Sequence, residues 1–566
     1  MEHYSSTEVS FDPQNSENDP VRSANYGRFP KERLIYGAIL GYCILHCLIR
    51  IFTSPILTID EAQFALLGQS FSLGYGSDHP PLLSWMFAGL KNTIGVNLYS
   101  IAILKYALMT LGLCAYYKSM LTIFEWMDFS GLLHRRLDLA AAATGSWALV
   151  FMVGWSNHED QIPQVLDFTL LSISLFCLTK SLTSKGYAWW IAFGISVGLS
   201  LLSHLHLILF PLSLICAAMG MKSLTRPHYD ANGDRLSPPA ITWVHVGVTL
   251  AFTIAVFACH AMWLLQDGGP ANSLNAADFG LGENVTFTTQ EGIKDLVLSR
   301  GLALRALFFA MVEYIMPLGV IFLLLFWPMW FAFIYPFFPK REVDEGPFER
   351  TWRRLFSYTL RLSIAFLSII TIITGHTLVT IWMLPVFFAL PIWLFFQVQR
   401  SGPYFIAMRA LAAIILISII IVPIARFIDW SEDIMSCTEA RCHTYLPIDE
   451  FAQNLSMEGF ANGTIIGADP HLTGNLRTQF PNARILDAHY HVSAFPAATG
   501  RGACLAVWRD EDAKMPNNLA KYLNEELGIQ QIDKTPGGAI RKNLINSREK
   551  HSVLYFRFLK PNKNCR

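Results

Sequence analysis

The chain has 566 residues, of which 52% are hydrophobic and only 15% charged, whereas soluble domains carry roughly 25% charged residues. Its 43 basic and 43 acidic residues give a formal net charge of zero, so a nucleic-acid partner has no electrostatic support. The charge deficit lies in the first three quarters, where apolar runs recur at about the 20 residues that a bilayer-spanning helix requires.

In chain order, residues 1–30 are polar, read as a disordered cytoplasmic N-terminus, and carry no cleavable signal pattern. Eleven spans follow, near 34–52, 98–126, 139–155, 163–181, 187–202, 205–221, 241–265, 305–337, 358–375, 377–397 and 405–427. The 305–337 run holds Pro317, Pro328 and Pro336 and is expected to bend or tilt. Basic residues sort to one side: Arg28, Lys31 and Arg33, then Arg135 and Arg136, Lys180 and Lys185, Lys222 and Arg226, Lys340 to Arg354, and Arg400. By the positive-inside rule that side is the cytoplasm. The opposite side receives 53–97, 156–162, 266–304, Gly375-His376 and everything after 428.

Residues 428–566 lose the long apolar runs and read as a small outer-face α/β domain. Strands are expected at 464–468, 484–487, 503–508 and 552–558, and helices at 471–479 and 517–527, with Asn517 or Asn518 as N-cap of the second. The domain carries Cys437, Cys442, Cys504 and Cys565. In an oxidising compartment these allow two disulfides in any of three connectivities, with Cys437–Cys442 the simplest pair. The whole is thus a mainly α polytopic membrane protein: a transmembrane domain over 31–427 and an α/β domain over 428–566.

The outer side gathers the residues that carry chemistry. Asp60 and Glu61 follow the first span, and eighteen residues on comes Asp78-His79-Pro80-Pro81-Leu82-Leu83-Ser84-Trp85. Asn157-His158-Glu159-Asp160 precedes the fourth span, and His204 and His376 lie at outer span ends. Ionisable groups beside a membrane are costly unless solvated or used.

This order of motifs resembles the membrane glycosyltransferases of the GT-C class. The resemblance is to the branch with bacterial lipid A aminoarabinose and galacturonic acid transferases and protein O-mannosyltransferases. Asn157 to Asp160 stands where that family carries Thr-Asp-x-Pro. Trp189-Trp190, Gly194, Gly198-Leu199 and Leu202-Ser203-His204 resemble its G-x-x-x-G-L-x-x-L-[ST]-K stretch, with His204 in place of the lysine. Trp382 with Pro385-Val386-Phe387 resembles a late Trp-x-x-Pro segment, and Gly502 to Trp508 a tail strand of bacterial members. The resemblance implies an enzyme of the bacterial inner membrane with its site and tail in the periplasm. It would move a sugar, with inversion, from a polyprenyl-phosphate donor to lipid A, core oligosaccharide or another outer-face glycan.

On that basis Asp60 is the expected base, its structural alternative being a helix N-cap. Asp160 is expected to orient donor or acceptor. Glu61, Asp78, His79, Glu159, His204, Arg300, Arg305 and His376 are candidate substrate contacts, with Lys91 and Lys294 as further cations for the leaving phosphate. Asp78 and His79 are candidate ligands for a divalent metal ion, although two ligands do not complete a site. His204 and His206, two apart, would not share a helix face. A lipid-linked sugar transporter and a protein O-mannosyltransferase are the competing readings. Transporters show internal repeats and midplane polar groups, whereas here no repeat is evident and the polar groups cluster at outer span ends.

Overall fold

The computed structural model describes residues 20–75, 80–125, 133–184, 186–225, 241–266, 290–326, 347–375, 380–400, 405–436, 445–509, 513–530, 532–545, 550–560 and 562–565. The membrane part comprises α1 (Pro20–Thr53), α2 (Ile59–Leu67), α3 (Pro81–Thr93), α4 (Leu98–Glu125), α5 (Leu133–Gly145), the short turn α6 (Asn157–Glu159), α7 (Ile162–Thr183) and α8 (Ala188–Ser203). It continues with α9 (Leu209–Gly220), α10 (Lys222–Thr225), α11 (Trp243–Gln266), α12 (Gln290–Leu325), α13 (Pro347–Thr374), α14 (Leu384–Phe387), α15 (Leu390–Arg400) and α16 (Phe405–Ser436). The helix α1 already begins at Pro20 within the segment expected to be disordered; residues 1–19 lie outside the described residues.

Seven helices among the described residues are long and apolar enough to cross a membrane, and each coincides with an expected span: Lys31–Thr53, Leu98–Phe124, Ile162–Thr183, Trp243–Leu265, Ser299–Leu325, Arg350–Thr374 and Ile406–Ile428. The other four expected spans lack that length. The one near 139–155 breaks into Arg136–Leu149 and Met152–Glu159, which meet at 79° and make an eighth span only if taken together. The break needs a glycine: a Cβ on Gly154 would lie 2.2 Å from the Ala148 carbonyl oxygen. Ala188–Ser203, Leu205–Gly220 and Leu384–Val398 are apolar but shorter. Rings lock the bundle centre, where Trp147 lies 5.2 Å from Phe168 and 5.4 Å from Phe388, and Phe210 lies 5.0 Å from Phe388.

The C-terminal domain holds α17 (Ile448–Met457), β1 (Gly463–Gly467), α18 (Pro470–Gln479), β2 (Arg484–Asp487), β3 (Ala503–Trp508), α19 (Asn517–Glu525), β4 (Gly538–Asn543) and β5 (His551–Leu559). The sheet order is β2-β1-β3-β5-β4, parallel across β2, β1 and β3 and antiparallel thereafter. The four expected strands and two helices are present. The additional strand β4 is an edge strand that carries Arg541 and Lys542 and buries only Ile540, the charged pattern by which sheet edges avoid pairing. The additional helix α17 buries Ile448, Phe451, Ala452 and Leu455, one helical stripe. The N-cap of α19 is Pro516 rather than Asn517 or Asn518; its extended ψ of 146° starts the helix one residue early. Cys504 on β3 is bonded to Cys565, which ties the chain end to the central strand. The Cys437–Cys442 pairing lies outside the described residues.

The domain core is not confined to the tail. Ile56, Leu66, Leu67 and Tyr75, from the segment between α1 and α3, are buried in the same cluster as Ile465, Leu472, Leu486 and Leu505. Each such side chain contributes roughly 1.5–3 kcal/mol by leaving water.

Candidate active site

Thr58 has the extended backbone of an N-cap, and Glu61 completes a capping box, accepting from the Thr58 N–H at 3.1 Å. Glu61 is fully buried and paired with Arg50 from the last turn of α1, whose Nε donates at 3.1 Å and whose Nη2 makes a second bond. Arg50 also holds the carbonyls of Ser54 and Ile56, at 3.0 and 2.9 Å. Burial alone would raise the Glu61 carboxyl, but the Arg50 charge and hydrogen bonds outweigh it and hold the group down at about 2. Glu61 is therefore an anchor of α2, not a group free to meet substrate. Nor is Asp60 the cap: Thr58 takes that position, and Asp60 is the second helical residue.

The second acidic motif reaches Asp60 through irregular backbone. A π-helical turn over Met152–Ser156 and the turn α6 end at Asp160, and Gln161 then adopts a left-handed φ of 44° before Pro163 opens α7. A non-glycine residue there is strained, a feature that clusters at functional sites. Asp160 Oδ1 accepts from Thr58 Oγ1 at 2.5 Å and from the Asp60 N–H at 3.3 Å. Lys105, buried in the N-terminal third of α4, donates to the Asp160 carbonyl at 2.6 Å. The Asp60 carboxylate accepts no hydrogen bond from a described residue. Burial first, then the charges of Asp160 and Glu61, push it up to about 7, against the pull of Lys105 and His204. Burial also raises Asp160, but the Thr58 hydroxyl opposes this. Hydrogen bonds to a charged form favour it. The Thr58 hydroxyl and the Asp60 N–H therefore favour charge on Asp160, while burial and that neighbouring charge push the Asp60 carboxyl up.

His204 completes the cluster. It ends α8 with extended backbone, and its Nδ1 lies 2.9 Å from Asp167 Oδ1, the oxygen that also accepts from Ser203 Oγ at 2.7 Å. Because His204 precedes a helical turn rather than lying within a helix, its ring comes within 5.4 Å of the His206 ring; their expected separation on different faces does not hold. His206 in turn lies 4.3 Å from Trp382 of the Trp-x-x-Pro segment. Below Asp160, His158 is buried, stacked on His46 at 3.7 Å with its Nε2 2.7 Å from the Tyr42 hydroxyl.

The structure brings together Asp60, Asp160 and His204. Other candidates stand elsewhere. Glu159 is exposed and accepts from Trp155 Nε1 at 2.6 Å. Arg300 donates to the carbonyls of Thr374 and Ile373, the free C-terminal end of α13, at 3.2 and 3.1 Å. Arg305 lies over the Phe309 ring at 5.6 Å. Asp78, His79 and His376 lie outside the described residues, as does the Lys294 side chain. Among the described residues no group of three or more His, Cys, Asp or Glu could hold a metal ion. Sequence reasoning missed Lys105, Arg50 and Asp167. Their signal was an ionisable residue inside or at the end of an apolar span, which in a membrane segment is a site hypothesis by default.

The tail holds α2 directly. Asn475 on α18 accepts from the Leu57 N–H at 2.9 Å and donates to the Leu57 carbonyl at 3.2 Å, and His471 Nε2 reaches the same carbonyl at 2.9 Å. The two helices meet at Gly474, where a Cβ would lie 2.0 Å from the Ala62 carbonyl oxygen. Gln69 exchanges two hydrogen bonds with the backbone of Ile485 on β2, at 2.8 and 3.0 Å.

This architecture is shared with a solved structure, ArnT from Cupriavidus metallidurans bound to undecaprenyl phosphate. The two align with a TM-score of 0.52 over 92% of this chain and 97% of that one, at 11% identity. No family model matches the chain. The shared fold and the relatives make the chain similar to membrane glycosyltransferases of the GT-C type. The lipopolysaccharide core galacturonosyltransferases RgtB and RgtA of Rhizobium johnstonii are 22% and 23% identical over 499 and 512 residues, each alignment covering 87% of this chain and 91% of the relative.

Proposed function

We propose that the protein transfers a sugar, a hexuronic acid in the first instance, from a polyprenyl-phosphate donor to the core of lipopolysaccharide at the outer face of a bacterial inner membrane. The names of RgtA and RgtB support the sugar and acceptor, and the undecaprenyl phosphate bound to ArnT supports the donor. The observation that carries the chemistry is the Asp60 carboxylate, without a hydrogen-bond donor of its own among the described residues and raised to about 7 beside Asp160. A base whose proton affinity lies near working pH is well matched to taking a hydroxyl proton.

The acceptor hydroxyl oxygen attacks the anomeric carbon on the face opposite the phosphate. Asp60 takes its proton. The new carbon–oxygen bond forms as the bond to phosphate breaks, and the electron pair leaves with the polyprenyl phosphate, inverting the anomeric centre. Asp160 fixes the N-terminus of α2 through Thr58 and the Asp60 N–H. The His204 ring, oriented by Asp167, stands near enough to Asp60 to stabilise its ionised form. Mass spectrometry of lipopolysaccharide core and lipid A from wild-type, deletion and Asp60→Asn cells tests this. Loss of one sugar mass in both mutants, with the Asp60→Asn protein still in the membrane, is expected. Full restoration of that mass by Asp60→Asn would sink the assignment of the base.

A further inference from the structure

A second polar feature lies away from the carboxylates, where α3 and the exit of α2 meet the tail. An open cavity of about 350 Å3 is lined by Lys91, Arg477, Arg484 and Arg501, with Asn462 and Asn482. Its described lining contains four cations and no carboxylate. Arg477 is 4% exposed and Arg484 9%, and burying charges without a counter-ion is costly. Backbone carbonyls supply part of the compensation. Arg477 Nη1 donates to Phe480, Pro481 and Ala483 at 3.2, 2.5 and 3.2 Å. Arg484 donates from Nε to Pro496 at 2.5 Å and from Nη1 to Asn564 at 2.8 Å, and Lys91 donates to Gln69 at 2.9 Å.

These bonds brace the loop between α18 and β2, but they bring no negative charge. They also leave the Nη2 groups of Arg477 and Arg484, and the Arg501 guanidinium, without a protein acceptor among the described residues. Burial and the like charge of Arg477 pull the Lys91 ammonium below its usual range, as befits cations with no anion among them. Bracing explains the buried arms of Arg477 and Arg484. It does not explain why Lys91, from another element, and Arg501 converge on the same opening.

We infer that this cavity is a subsite for an anionic group of the acceptor glycan, a phosphate or a sugar carboxylate; the inference rests on the transferase reading given above. Walls of one sign focus the field and concentrate the opposite charge, and guanidinium forks match both anions. Asp60 lies in the first turn of α2 and Gln69, on the cavity wall, two residues past its end at Leu67, so the helix itself, at its rise per residue, sets them roughly 10 Å apart. The cavity is therefore too far from the base for the donor phosphate at the reacting carbon, and the anion it takes belongs to a remote part of the acceptor.

The test uses purified full-length protein in lipid nanodiscs, titrating acceptor at saturating donor. Arg501→Gln, alone and with Lys91→Gln, should raise the acceptor KM by about tenfold or more, the scale of a lost charge-assisted hydrogen bond, with kcat and the donor KM unchanged. Inorganic pyrophosphate should compete with acceptor, and not with donor, in the wild type only. An unchanged acceptor KM in the folded variants overturns the subsite. So does loss of pyrophosphate binding with the acceptor KM intact, which marks a site for free anions. If the wild type transfers no sugar, the transferase reading fails by itself. Calorimetric binding of pyrophosphate to wild type and Arg501→Gln then decides on the cavity, and equal or absent binding overturns it.

Discussion

Replacing Asp60 with Asn should abolish transfer and at the same time stabilise the protein, most strongly above pH 7. The carboxyl is raised from 3.8 to about 7 by burial and by Asp160. At about 1.4 kcal/mol for each tenfold in proton affinity, holding it ionised at pH 8 costs on the order of 4 kcal/mol. The sign follows from linkage. The folded state binds this proton more tightly than the unfolded one, so stability falls as pH rises through the interval from about 4 to 7. Below that interval both states are protonated and the cost vanishes; above it the cost is complete. Asn keeps the shape without the charge, so its advantage over wild type should be near zero at pH 4 and largest at pH 8. Thermal unfolding in detergent, followed by tryptophan fluorescence at both pH values, reads the difference. A variant no more stable at pH 8 than at pH 4 relative to wild type would refute the picture of a buried carboxylate pair, and so would one that still transfers sugar. In the wild type, the rate should fall as pH drops below about 7 and Asp60 takes up its proton.

Three other changes probe the support of this group. Asn475→Ala leaves the Leu57 N–H buried without its acceptor, at a cost of about 1–3 kcal/mol; kcat should fall while the protein still accumulates in the membrane. His204→Lys puts a permanent cation at this position and should retain more activity than His204→Ala, for which a loss of about a hundredfold matches removal of one electrostatic stabiliser; equal losses in kcat would refute a charge role for His204. Cys504→Ser opens a disulfide that closes 61 residues, worth about 4 kcal/mol by chain entropy; melting should come earlier and activity should fall with it, because the tail holds α2.

What the sequence disclosed, and what it hid, follows from the range of the interactions. The long spans were legible because an apolar run is a local signal, and so were β1, β2 and β3, which are buried runs. The bent helix around Gly145 and Gly154 was not, because its apolar content matches a straight one and only contact with Ala148 distinguishes them. Asp60 and Asp160 were legible as motifs, yet their partnership spans 100 residues. Glu61 read as a substrate group because Arg50, eleven residues earlier, looked like a span end rather than a buried partner. Arg300 read as a phosphate contact because nothing local reveals that the end of α13 needs a cap for its carbonyls.

The tail read as a separate α/β domain, and in the structure its core takes in residues of the segment that carries Asp60. The helix that carries Asp60 buries Leu66 and Leu67 in the core of the C-terminal domain and Phe64 and Ala65 in that of the bundle, where Glu61 is also tied to Arg50. Asp160 and His204 belong to the bundle alone. The carboxylate pair therefore forms at a joint, and the distance between its members is set by how the two halves dock. Gly474 allows the closest approach, and Asn475 and His471 fix its depth through the Leu57 backbone. The raised proton affinity of Asp60 needs both burial and the nearby Asp160 charge. A loosened joint would let in water and separate the charges, so Asp60 would return toward an ordinary carboxylate and lose its match to the acceptor proton. The acidic limb of the Asn475→Ala rate profile should then shift to lower pH as its maximum falls. A falling maximum with an unmoved limb would mean that α18 supports the fold without setting the chemistry.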